Sequence, residues 1–63
     1  MKQDFQLAAL WYRRAAEQGW ALAQINLARL LENGEGVAEN KPEAFYWYRL
    51  ATAAREDDLR REA

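Results

Sequence analysis

The sequence predicts an all-α fold, an antiparallel helix-turn-helix stack of the α/α solenoid kind in which three helices form a fragment and the last runs long. Three observations predict it. Apolar residues recur at helical spacing in three segments, glycines fall between the first two segments and in the loop after the second, and the chain resembles itself after a shift of 36 residues.

The first helix is expected over residues 5–18. At 100° per residue Phe5, Ala8, Ala9, Tyr12, Ala15 and Ala16 share one face, which Leu7 and Trp11 widen, and Gln6, Arg13 and Glu17 lie opposite. Asp4 is placed to cap its start and Gly19 to end it. The second helix is expected from about Ala21 to Glu32. Its stripe is Ala23, Leu27, Leu30 and Leu31, with Leu22, Asn26, Arg29 and Asn33 turned outward. Asn40 then caps a third helix, Glu43 completes a capping box, and Pro42 suits the first turn. The inner face of that helix is Ala44, Trp47, Tyr48 and Ala51. Nothing after Arg55 stops a helix, and the acid-first pairs Glu56–Arg60 and Asp57–Arg61 favour one element from about Pro42 to Arg61. A break with Asp57 or Asp58 as a new cap is the alternative.

Composition narrows the function. A chain of 63 residues is at most one small domain, burying about 60% of its unfolded surface. Its stability scales to roughly 3–9 kcal/mol. There is no Cys and no His, so zinc fingers, disulfide frameworks and haem attachment are excluded. Ser is also absent, leaving Thr52, two lysines, three tyrosines and carboxylates, a poor catalytic inventory. The expectation is no enzyme, no cofactor and no metal. Nine basic against ten acidic residues, interspersed, do not make a nucleic-acid surface. No apolar run is long enough to span a membrane.

The loop "ENGEGV", residues 32–37, poses a specific choice between a phosphate cradle and a turn. A dinucleotide fingerprint needs a preceding strand and a third glycine, and a P-loop needs Lys-Ser/Thr. Both are missing, as is the oxygen ladder of a calcium loop. The loop reads as a turn in which Gly34 ends the second helix and Gly36 lets the chain reverse.

The 36-residue shift pairs Ala8 with Ala44, Trp11 with Trp47, Tyr12 with Tyr48, Arg13 with Arg49 and Ala15 with Ala51. Both stretches read A-x-x-W-Y-R-x-A. With "WYRRAAEQG", "ALAQINLARLLENGEGV" and "KPEAFYWYRLA", the chain resembles the Sel1-like repeat, a relative of the tetratricopeptide repeat, over residues 4–54. The period itself departs from the roughly 34 residues of the ordinary tetratricopeptide repeat. Ala28 stands where the family usually has Gly, which implies a slightly wider helix pair, and Leu31 replaces its usual Tyr. Residues 52–55 replace A-E-Q-G with T-A-A-R. The expected organisation is one module over 1–63: residues 4–18 as the second helix of a partial repeat, 21–55 as a full repeat, and 56–63 as a helical extension or cap.

The resemblance implies a scaffold or adaptor that binds proteins, with the first helix of each repeat lining a concave face. Leu22, Asn26, Arg29 and Asn33 are therefore the candidates for contact with a partner, against the alternative of a solvated polar face. Trp11, Tyr12, Trp47 and Tyr48 are read as core, and Trp20 as an edge cap or a contact point. Phe45, Tyr46 and Leu50 make the third helix apolar nearly all round, more than two other helices can cover, so self-association into a homo-oligomer is expected there. The rival is an accessory or regulatory subunit binding a different protein in a cell-envelope or signalling complex. Residues Glu56, Asp57 and Asp58 are read as solvated and paired.

Overall fold

In the computed structural model, which describes residues 4–61 and the side chains of 4–54, the chain is three helices: α1 (Phe5–Glu17), α2 (Ala21–Asn33) and α3 (Lys41–Arg61). The last is continuous across Asp57 and Asp58, so neither begins a new helix. The acid–base pairs anticipated beyond Arg55, and the proposed cap at 56–63, lie outside the described side chains.

Local chemistry sets each boundary. The Asp4 carboxylate accepts from the Leu7 N–H at 3.1 Å and starts α1. Its end closes with a Schellman pair: Gly19 N–H donates to the Ala16 carbonyl, and Trp20 N–H to that of Ala15. The same 6→1 bond ends α2, from Glu35 N–H to the Leu30 carbonyl at 3.0 Å, with Gly34 left-handed at φ 69°. Asn40 caps α3 by accepting from Glu43 N–H at 3.1 Å. The expected capping box is only half made. Asn40 N–H is taken by the Leu31 carbonyl at 2.8 Å, and the Glu43 carboxylate accepts from the Asn40 side-chain amide at 3.4 Å and from Arg13 and Trp47 instead of from that N–H. One long-range bond thus displaces a local one and pins the loop to the end of α2.

The central helix α2 packs on both neighbours, which do not pack directly on each other. One core cluster joins Ala16 of α1, Ala23, Leu27, Ala28 and Leu31 of α2, and Ala44 and Trp47 of α3. Tyr12, Ala15, Val37 and Tyr48 close its edges. The apolar periodicity did not place Gln24 in the core, yet it is buried. Its amide donates to the Ala16 carbonyl at 3.1 Å, tying α2 to the last turn of α1.

Candidate functional site

The two copies of the repeated motif have different fates. On α3, Ala44, Trp47 and Ala51 are buried and Tyr48 is half-buried; Trp47 is 7% exposed. On α1, Trp11 is 59% exposed, while Ala8, Tyr12 and Ala15 are half-buried. Reading Trp11 as core is therefore wrong. Trp47 has α2 to cover it, whereas no helix precedes α1 among the described residues. The Arg14 guanidinium lies over the Trp11 ring, at 5.8 Å.

The seam between α1 and α2 is an open groove in two clefts that share Tyr12 and Asn26. One, of about 440 Å³, is walled by Trp11, Ala15, Trp20, Leu22 and Ala23. The other, of about 280 Å³, is bounded by Asp4, Phe5, Ala8, Arg29 and Glu35. Leu22, at 71% exposure, together with Asn26 and Arg29, lines the groove. Asn33 is exposed but lines neither cleft. Asn26 is half-buried rather than fully outward. Trp20 caps no helix with its side chain and forms part of the groove wall.

A second exposed face lies on α3. Phe45 is 63% exposed, and Tyr46 and Leu50 are also exposed, around a shallow cleft with Pro42, Arg49 and Ala53. The Arg49 guanidinium stacks 6.0 Å from the Phe45 ring, and Tyr46 meets the Trp47 ring edge-on at 5.2 Å. Thr52 donates its hydroxyl to the Tyr48 carbonyl at 3.0 Å, the usual i−4 bond of a helical Thr.

The polar chemistry ties helices together. Arg13 of α1 meets Glu43 of α3 at 3.0 Å, and the Trp47 indole N–H donates to the same carboxylate oxygen at 3.2 Å. Burial pushes the Glu43 carboxyl upward, but the Trp47 and Arg13 hydrogen bonds and the Arg13 charge outweigh it and hold the pKa below the ordinary value. Tyr48 donates to Glu32 at 3.1 Å. Burial and then the Glu32 carboxylate raise its pKa, against a smaller opposing effect of Arg29. Among the described residues no group of three His, Cys, Asp or Glu is placed to hold a metal ion, and no helix is long and apolar enough to cross a membrane.

A helical hairpin with Trp47 packed under α2 and glycine-closed turns is an α/α repeat. The Sel1 repeat family matches residues 1–20 and 21–55, and the chain belongs to that family. Sel1 repeats mediate protein–protein interaction and are not typically catalytic. Compared with curated proteins and with solved structures, the chain shows no significant match.

Proposed function

We propose that this chain is a protein–protein interaction scaffold that self-associates through the outer face of α3. The observation that carries the reading is the cluster of Phe45, Tyr46 and Leu50, three large apolar side chains left exposed on one helix. Apolar patches of this kind on a small domain mark interaction surfaces. Stability supports the same reading, because isolated helical repeats draw much of theirs from neighbours.

Sedimentation velocity from low to high micromolar concentration tests it. The expected result is a species heavier than the monomer that Phe45→Glu or Leu50→Glu returns to the monomer. A wild-type chain that stays monomeric throughout removes self-association and leaves a module for a different protein. That second reading, an accessory or regulatory subunit, draws on the exposed Leu22 and Arg29 beside the groove. It predicts that Arg29→Glu abolishes partner binding while Phe45→Glu leaves it intact.

A further inference from the structure

The turn after α2 holds a reactive pair of neighbours. Of the three asparagines, Asn33 is followed by Gly34, Asn26 by Leu27 and Asn40 by Lys41. An asparagine Cγ can close a five-membered ring with the backbone nitrogen of the next residue, and glycine has no Cβ to crowd that nitrogen. Asn33 is exposed, as are Glu32, Gly34 and Glu35, so water reaches the site. Asn26 lies inside α2 ahead of the wholly buried Leu27. Asn40 is held in the α3 cap, where its side chain accepts from Glu43 N–H. The fold also restrains the Asn33–Gly34 pair. Asn33 is the last residue of α2, and Gly34 N–H donates to the Leu30 carbonyl, which also accepts from Glu35 N–H at 3.0 Å. The Gly34 nitrogen must give up that bond, and its proton, before it can attack. What fastens the turn is local: the Asn40 N–H bond to Leu31 and the close approach of Gly36 to Phe5. Helix ends of this kind open at lower cost than the core.

We propose that Asn33 is a self-modification site, deamidating through a cyclic imide with Gly34 whenever the last turn of α2 opens. Solvent base takes the Gly34 proton and the nitrogen bonds to Asn33 Cγ. The Cγ–Nδ2 bond breaks, and Nδ2 leaves as ammonia. Water then opens the imide at either carbonyl, giving aspartate at position 33 or an isoaspartate whose main chain runs through Cβ and Cγ. No oxidant, reductant or cofactor enters. Both products add a negative charge beside Glu32 and Glu35, at the helix end that disfavours anions. The isoaspartate also lengthens the backbone inside the turn whose bonds converge on the Leu30 carbonyl. The change runs one way, and it loosens the turn that had restrained it.

The test is incubation of the full chain in warm, mildly alkaline buffer, folded and in urea, followed by peptide mass spectrometry that separates aspartate from isoaspartate. Expected is an amide-to-acid mass gain confined to the Asn33 peptide, mostly as isoaspartate, and slower in the folded chain than in urea. That slowing should be at least as large as the hydrogen-exchange protection of Gly34 N–H, because both reactions begin by removing the same proton from an opened turn. Gly36→Ala should speed the folded-state reaction about fivefold or more by loosening the turn. Gly19→Ala, at the opposite end of the helix pair, should leave it unchanged. Gly34→Ala should suppress the reaction in urea, where the fold plays no part. No gain at Asn33, or equal gains at Asn26 and Asn40, overturns the proposal. A slowing smaller than the exchange protection means that the nitrogen reacts without opening, and overturns it too. Acceleration by Gly19→Ala in proportion to its loss of stability would mean that the whole chain must unfold first, which removes the turn as the gate. If circular dichroism shows that Gly36→Ala has lost helix, the comparison of exchange with deamidation in the unaltered chain decides.

Discussion

Gly36 carries more structural consequence than its place in a turn suggests. Its φ of 73° lies in the left-handed region, and a Cβ there would collide with the Phe5 carbonyl group and come within 2.7 Å of the Gln6 nitrogen. The loop after α2 is therefore pressed against the first turn of α1, an approach only glycine permits. Gly19 also has positive φ, at 96°, but a Cβ there would meet nothing within 4 Å. The two glycines separate conformational cost from steric cost. Gly19→Ala should cost about 1 kcal/mol, the left-handed penalty alone. Gly36→Ala adds displacement of the α1 backbone and should cost about 2 kcal/mol or more. Urea unfolding of both variants checks this, and equal losses would show that the loop does not press on α1 in solution.

At the scale of the helix, identical motifs carry unequal energy. Trp47→Ala empties a buried site under α2 and should cost about 3–5 kcal/mol, a large part of what so short a chain possesses. Trp11→Ala, on the same motif in α1, should cost within about 0.5 kcal/mol as a surface change. Thermal or urea unfolding at low micromolar concentration distinguishes them. Comparable losses would mean that Trp11 is covered in solution. This asymmetry marks the limit of what periodicity reveals. The wheel places Trp11 and Trp47 on matching faces, and caps and glycines place every helix boundary within a residue or so. Whether a face is covered depends on a neighbouring helix, which no local pattern encodes. Glu43 illustrates the same limit. Its spacing from Asn40 spells a capping box, yet Arg13, 30 positions away, claims the carboxylate. Gln24 lies within the A-x-A-Q stretch of the repeat, but its role needs the Ala16 carbonyl brought close by the turn. The groove was legible only in part: Leu22, Asn26 and Arg29 fall at helical spacing, while Trp20 joins them through the turn geometry.

The molecule as a whole is a row rather than a ball. Its radius of gyration is 12.5 Å, against about 10.6 Å for a compact domain of this length. In a row, the outer helices communicate through the middle one, and side chains that reach across it matter more. The Arg13–Glu43 ion pair is such a link, joining α1 to α3 where their backbones do not pack together. Both side chains remain about a third exposed, so water screens the pair and it should contribute about 1 kcal/mol or less. Its pH dependence has a definite sign. A carboxylate whose pKa is lower in the folded than in the unfolded chain binds more protons when unfolded. It stabilises fully above the unfolded carboxylate pKa, and that stability disappears as pH falls through the folded value. Glu43→Gln should therefore be slightly less stable than the wild type at pH 7, and the gap should close on acidification below the ordinary carboxylate range. Urea midpoints for the two proteins at a series of pH values from 7 to about 3 measure that gap directly. A gap that stays constant would mean the Glu43 contribution is packing and neutral hydrogen bonding to Trp47. A gap that closes, and is absent in the Arg13→Ala background, would assign it to the charge that spans the row.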